Sequence, residues 1–167
     1  MKNNRVRFLT QSAVLAALYV TLTHLQNFLI PNSASMAIQF RASEALCVLA
    51  FFTPAAIPGL SLGCLLFNLT SGAALPLDFL VGTAATAGST WVMWLCRKRV
   101  PYLGLLMPAL FNALLVGWEL SVYIGGGFGL NALYVAIGEA AVLLLLGTPL
   151  YCTIKKLGPE RLLGRNR

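Results

Sequence analysis

The sequence has few charged residues, and acidic ones are especially scarce. Five aspartates and glutamates stand against 12 lysines and arginines in 167 residues, and charged residues make up 10% of the chain. A typical soluble domain has about 25%. The scarcity argues against an ordinary soluble domain, which needs more polar surface. The length suits one domain and leaves no room for a membrane enzyme with a large soluble head.

Several signatures of catalysis and metal binding are also missing. The chain has one histidine, no Walker motif and no H-E-x-x-H motif. Its four cysteines, Cys47, Cys64, Cys96 and Cys152, never approach C-x-x-C spacing. Because each lies alone in or beside an apolar run, we interpret them as small buried apolar residues. We therefore expect neither a metal site nor a cofactor.

Basic residues are concentrated at the chain ends and in one short segment. Three precede residue 8, three occupy 97–99 and five follow residue 154, which leaves Arg41 alone. No basic patch alternates with surface aromatics, so we do not expect a nucleic-acid partner. In a membrane protein, such clusters mark the cytoplasmic side.

Long apolar runs fill most of the chain. A helical span needs about 20 such residues. The first run is longer than the roughly 7–15 apolar residues of a signal peptide, so we expect it to be retained as a span. The runs cover residues 8–30, 39–70, 79–96, 102–124 and 131–154.

The charge pattern predicts the number of crossings. If all three basic clusters face the cytoplasm, the segment 8–96 needs an even number of spans, so the run 39–70 must be a hairpin. Pro54 and Pro58 supply its break. Each arm then reaches only ~23 Å and needs shielding by other helices. The alternative is one long tilted helix, which gives five spans and moves one cluster outside.

We therefore predict a single all-α integral membrane domain, 1–167, with six transmembrane helices and both termini in the cytoplasm, surrounded by membrane lipid. The predicted spans cover approximately 8–30, 40–53, 55–70, 79–96, 102–124 and 131–154.

Three glutamates fall inside these spans, although a charge in hydrocarbon is costly unless it faces a cavity or a partner. The topology places Glu44, Glu119 and Glu139 at depths of ~6, ~8 and ~12 Å below the outer surface. Four further polar residues flank the same side, namely Gln39, Arg41, Asn68 and Asp78. The clustering predicts a polar pocket open to the outside.

Simpler structural roles are open for several of these residues. Arg41 and Glu44 are three residues apart, which suits an ion pair at a helix end. Asp78 precedes a span and suits an N-cap. His24 suits a polar contact between helices. Trp118 lies at the depth of an interfacial aromatic belt, or it stacks on a planar ligand.

Several stretches resemble a known family. Gln39-Phe40-Arg41-Ala42-Ser43-Glu44-Ala45-Leu46 matches the element QFRxSEAL, and the similarity continues over almost the whole chain. This pattern resembles the QueT family of predicted queuosine-precursor transporters, which are substrate-binding S components of energy-coupling factor (ECF) transporters. Further similar stretches are 51–60, 62–68, 82–86, 112–117 and 137–139.

The resemblance implies a six-helix S-component bundle in the prokaryotic plasma membrane that takes up a 7-deazaguanine such as preQ1, preQ0 or queuine. It implies no enzymatic activity. Its partners would be a transmembrane coupling subunit and two ATPase subunits. Ala13 and Ala17, spaced as small residues at a helix contact, resemble the S-component motif that binds the coupling subunit.

The resemblance also suggests which part of the ligand each residue would contact. A guanine-like edge offers two adjacent N–H groups that one carboxylate accepts, and Glu44, Glu119 and Glu139 are the candidates. Asn68 and Asn112 are candidates for reading the ring carbonyl. Arg41 and Trp118 complete the expected substrate-binding set.

Other functions remain open from the sequence. One is an S component for a different vitamin, and another is an intramembrane enzyme that uses Glu44 and Glu139 as acid and base. A structural or tethering membrane protein is a third. An enzyme would turn over its substrate when purified alone, whereas a binding subunit would hold it stoichiometrically.

Overall fold

The computed structural model describes residues 2–31, 33, 40–72 and 74–158, and the side chains of these except 2 and 3. Every regular element in these ranges is helical. The elements are α1 (Lys2–Leu29), a 3₁₀ helix (Ala42–Phe51), α2 (Ala56–Thr70), α3 (Asp78–Cys96), α4 (Pro101–Leu105), α5 (Met107–Tyr123), α6 (Phe128–Val142), a π turn (Leu143–Gly147) and α7 (Thr148–Leu157).

Four helical segments of the described chain are long and apolar enough to cross a membrane. Large apolar side chains such as Leu9, Phe28 and Leu144 are exposed on the bundle surface, where lipid would cover them. The prediction of a helical membrane protein is confirmed. The four segments are Asn4–Leu29, Asp78–Cys96, Pro101–Tyr123 and Phe128–Leu157.

The run predicted to form a hairpin is indeed broken into two short helices. The chain leaves helical structure over residues 52–55, which include Pro54, whereas Pro58 lies in the first turn of α2. Proline is tolerated there because N–H groups in the first turn of a helix have no hydrogen-bond partner within the helix. Whether both arms cross the membrane remains a prediction.

The first arm is a 3₁₀ helix rather than an α-helix. At ~2.0 Å per residue, its ten residues reach ~20 Å, against ~15 Å for an α-helix of the same length. Eight of the ten are buried, because α1, α2, α3, α6 and α7 all contact this arm. The 3₁₀ winding therefore extends a short arm, and the surrounding helices shield it.

Two glycines allow α2 to lie directly against α1. A methyl group on Gly59 would come within 2.7 Å of the Ser12 carbonyl oxygen, and one on Gly63 within 2.7 Å of the Tyr19 Cβ. The hydroxyl of Ser12 also donates to the Ala55 carbonyl at 3.0 Å. Small residues four apart allow such backbone approach between membrane helices.

Candidate functional site

Four of the five acidic residues lie buried inside the bundle, each on a different element. Glu44 is on the 3₁₀ helix, Asp78 on α3, Glu119 on α5 and Glu139 on α6, and each is at most 7% exposed. Arg41 is buried beside them. We call these five residues the acidic cluster. Buried charges are costly in an apolar bundle, so the acidic cluster is the candidate functional site.

Glu44 already has hydrogen-bond donors for both carboxylate oxygens. The hydroxyl of Tyr19, on α1, donates to Oε1. The Cys47 thiol lies 3.2 Å from Oε2 and donates to it. One residue earlier, Ser43 accepts a 2.7 Å hydrogen bond from Thr23 of α1. The 3₁₀ helix is therefore fixed to α1 by two polar contacts, and Glu44 is held in place without a ligand.

Arg41 is the buried cation of the acidic cluster. Its Nη1 donates to the Cys64 sulfur at 3.7 Å, and its guanidinium lies 5.4 Å from the centre of the Phe67 ring. Among the described residues it is the one buried cation, against four buried carboxyl groups. The predicted ion pair between Arg41 and Glu44 stays a prediction.

Three side chains of the site carry polar atoms that have no hydrogen-bond partner. They are both carboxylate oxygens of Glu119, Oε2 of Glu139 and Nδ2 of Asn112. All three residues are at most 5% exposed, on the neighbouring helices α5 and α6. Buried polar groups are nearly always partnered, so these atoms are candidate positions for contact with a ligand, a water or an ion.

Asp78 and Asn68 tie the start of α3 to its neighbours. Leu75 N–H donates to Asp78 Oδ2 at 2.6 Å, so the carboxylate accepts from the turn before the helix. The N-cap prediction is therefore wrong, because Leu77 occupies that position and Asp78 is the first helical residue. Asn68 Nδ2 donates to the Asp78 carbonyl at 2.8 Å and thereby joins α2 to α3.

Other predicted site residues lie away from the acidic cluster. Trp118 is 50% exposed on the surface of the helix bundle. Its side chain is turned ~100° around the helix from that of Glu119, which is buried. Ala13 and Ala17 are exposed on α1. Gln39 lies outside the described residues, as do Arg161, Arg165 and Arg167 of the predicted C-terminal basic cluster.

His24 makes the kind of contact between helices that its position suggested. Its Nε2 lies 3.0 Å from the Thr70 hydroxyl of α2, and its ring meets Phe67 edge-on at 5.0 Å. These contacts join α1 to α2 and account for the residue without a ligand.

The sequence analysis missed Tyr19 and misread the cysteines. Cys47 and Cys64 are buried, but they contact Glu44 and Arg41 rather than serving as apolar filling. Cys96 is only partly buried and Cys152 is exposed, so burial fails for Cys152. Tyrosine and cysteine are common in apolar helices, so their types alone carried no signal for a polar role.

The expectation that signatures of catalysis are missing from the sequence is wrong for the hydrolase pattern G-x-S-x-G, because residues 59–63 match it. In an esterase this pattern forms a sharp turn between a strand and a helix that exposes the serine. Here it lies within α2, and the Ser61 hydroxyl donates to the Ile57 carbonyl at 2.6 Å. The glycines serve close packing against α1 instead.

Fold and site together define a helical membrane protein with a buried acidic site built from four helical elements. The chain belongs to the QueT transporter family, whose model matches residues 9–156. No curated protein and no solved structure matches the chain. The family resemblance seen in the sequence is thereby confirmed, and membership supports transport rather than catalysis.

Proposed function

We propose that this chain is the substrate-binding S component of an ECF transporter and that it binds a queuosine precursor, a 7-deazaguanine. The observation that carries the proposal is the set of unpartnered buried atoms on Glu119, Glu139 and Asn112. A transporter of this family needs an intramembrane binding site, and these atoms are the ones that a polar ligand would satisfy.

The chemistry of the site suits a guanine-like base. One edge of such a base presents an N–H and an exocyclic amine side by side, and a carboxylate accepts from both. Glu139, with Oε2 open, is the acceptor we assign to that edge. The open Nδ2 of Asn112 is the donor we assign to the ring carbonyl. Glu44 would support the site indirectly, because its own oxygens are already engaged.

Intramembrane catalysis by Glu44 and Glu139 is the weaker candidate. An acid–base pair needs both carboxyl groups within reach of substrate protons. Glu44 instead accepts from Tyr19 and Cys47. Transport therefore fits the contacts better than catalysis does.

Calorimetry on the purified protein tests the substrate directly. We expect at least one of preQ1, preQ0 and queuine to bind about 100-fold tighter than riboflavin, a difference of ~2.7 kcal/mol. The comparison with riboflavin separates a deazaguanine site from that of another vitamin. If all three precursors bind no tighter than riboflavin, the substrate assignment is wrong.

The proposal also includes six crossings in the prokaryotic plasma membrane, with the acidic cluster opening to the outside. We expect a membrane-impermeant maleimide to label Gly72→Cys, but not Lys98→Cys, on intact cells. Both positions are exposed, and both variants need a background in which Cys96 and Cys152 are serine. Labelling of Lys98→Cys from outside would contradict the topology.

The chain would bind the coupling subunit of an ATP-driven module through the face of α1 that is turned away from the bundle. Ala13 and Ala17 are exposed there, so a coupling subunit could reach them without disturbing the acidic cluster. We expect Ala17→Trp to abolish co-purification with the coupling subunit while ligand affinity stays within about 3-fold, since the added ring blocks close helix approach. Ala84→Trp, at an exposed alanine of α3, is the matched control and should co-purify normally.

If Ala17→Trp co-purifies like the control, the α1 face is not the coupling surface. If both variants lose the coupling subunit, the effect is bulk on the bundle surface rather than a specific contact. Only loss confined to Ala17→Trp supports the assignment.

A further inference from the structure

We infer that Gly117 is a positioning residue for ligand recognition. It allows α5 to lie directly on α6, and that contact holds the unpartnered donor of Asn112 and the unpartnered acceptor of Glu139 at one level of the bundle. The inference rests on the proposed function and deepens it. It names the packing contact that lets one ligand meet both residues.

Gly117 of α5 lies directly against the backbone of α6. A methyl group on Gly117 would come within 2.7 Å of the Ala132 Cα, 2.9 Å of its nitrogen and 3.0 Å of its Cβ. Carbon atoms in contact are normally about 3.5–4.0 Å apart, so a side chain here would push the two helices apart by ~1 Å. Two of the three atoms belong to the backbone, which cannot turn aside as a flexible side chain does.

The turn between α5 and α6 fixes how the two helices run past each other. It consists of residues 124–127, and helices joined by so short a turn pack as antiparallel neighbours. Gly125, Gly126 and Gly127 have φ values of 85°, 82° and 82°, which residues with a side chain rarely adopt. Asn131 donates to the Gly125 carbonyl at 2.7 Å and fastens the turn to α6. The register of the helices is therefore fixed both at the turn and at Gly117.

Counting from the Gly117–Ala132 contact places Asn112 and Glu139 at nearly the same level. Asn112 is five residues before Gly117, ~7.5 Å along α5, and Glu139 is seven residues after Ala132, ~10.5 Å along α6. In antiparallel helices both steps lead away from the turn, so the two Cα atoms differ in level by ~3 Å. Helical side chains lean toward the N-terminus of their own helix. Here that direction brings each of the two side chains toward the level of the other.

The pair offers one donor and one acceptor to a single ligand. Nδ2 of Asn112 and Oε2 of Glu139 have no hydrogen-bond partner, and the two residues are 5% and 2% exposed. Glu119 does not belong to this pair, because it lies on the other side of Gly117, ~10 Å from the level of Asn112. Groups that recognise a ligand must be held within about 0.5 Å of their productive positions. A side chain at position 117 would therefore separate the donor from the acceptor.

Two ligands that differ in the ring carbonyl test the inference by calorimetry. One is preQ1, and the other is an analogue in which hydrogen replaces the carbonyl oxygen, so that the neighbouring N–H is lost as well. The analogue keeps its exocyclic amine for Glu139 but has no carbonyl for Asn112. We expect the parent to prefer preQ1 by about 30-fold or more. Gly117→Ala should lower the affinity for preQ1 about 10-fold, and that for the analogue less than about 3-fold.

Gly59→Ala is the matched control for damage to helix packing. Its methyl group would also come within 2.7 Å of a backbone atom, the Ser12 carbonyl oxygen, but between α1 and α2. Both variants should lower the melting temperature, whereas only Gly117→Ala should reduce the preference for preQ1. If Gly117→Ala keeps the preference of the parent, or if Gly59→Ala reduces it as much, Gly117 is not a positioning residue.

If Gly117→Ala does not fold, Asn112→Leu and Glu139→Gln decide. Both should weaken the binding of preQ1, and Asn112→Leu should reduce the preference for preQ1 about 10-fold, because leucine has a similar size and no donor. If either variant binds preQ1 as tightly as the parent does, the two residues do not share one ligand and the inference is wrong. If the parent binds none of preQ1, preQ0 and queuine, the proposed function fails, and the inference fails with it.

Discussion

Arg41→Met is expected to destabilise the ligand-free protein by about 3–5 kcal/mol, the usual cost of removing one partner from a buried charge set. Methionine keeps much of the side-chain volume but removes the one cation that the described residues bury with Glu44, Glu119 and Glu139. Thermal unfolding in detergent should show the melting temperature falling by about 10 °C. The yield of folded protein should fall as well.

Two further variants separate the loss of charge from the loss of packing. Lys98→Met removes an exposed cation and should change the unfolding free energy by no more than about 0.5 kcal/mol. The double variant Arg41→Met/Glu44→Gln should lose less unfolding free energy than the sum of the two single variants. The reason is that Glu44→Gln removes a carboxylate that Arg41→Met leaves without a countercharge. Strict additivity would mean that Arg41 does not stabilise the protein through Glu44.

The positions of the helices could be predicted from the sequence, because they depend on where apolar runs begin and end along the chain. Apolar runs and their breaks predicted a span over 79–96, and the helix covers Asp78–Cys96. The prolines predicted the interruption near residue 54. The 3₁₀ form of the first arm was not accessible, because a segment that is apolar on all sides has no periodicity that distinguishes helix types.

The candidate site could be predicted from the sequence only in part. A glutamate within an apolar run is conspicuous, so Glu44, Glu119 and Glu139 were found from the sequence, and the structure buries all three. Depth in the membrane also follows from position along a helix. Direction around the helix does not, which is why Trp118 was grouped with Glu119 although the two side chains point to different surroundings.

The partners of these glutamates were not accessible from the sequence either. Tyr19 meets Glu44 across 25 residues of chain, and this contact depends on how closely α1 packs against the hairpin. That packing in turn depends on Gly59 and Gly63, whose meaning is clear only once α1 lies against them. The difference between an engaged Glu44 and an open Glu139 is therefore a property of the fold.

Glu139→Gln should lower the affinity for the bound deazaguanine by about 10- to 100-fold without lowering the stability of the ligand-free protein. Oε2 of Glu139 has no partner, so replacing the carboxyl group with an amide costs no hydrogen bond there. In the binding mode proposed above, the ligand loses an acceptor that faces two of its N–H donors, and a hydrogen bond to a charged group contributes about 1.5–3 kcal/mol. Calorimetry gives the affinity, and thermal unfolding without ligand gives the stability.

Glu44→Gln is the informative counterpart, because the two residues differ in their partners rather than in their burial. Its carboxylate accepts from Tyr19 and Cys47, so a glutamine there sets an amide donor against one of those donors. Glu44→Gln should therefore lower the melting temperature, whereas Glu139→Gln should leave it unchanged or raise it. A residue whose replacement preserves stability but removes binding is one that serves the ligand. The opposite pattern would reverse the roles of the two glutamates and place the base beside the 3₁₀ helix.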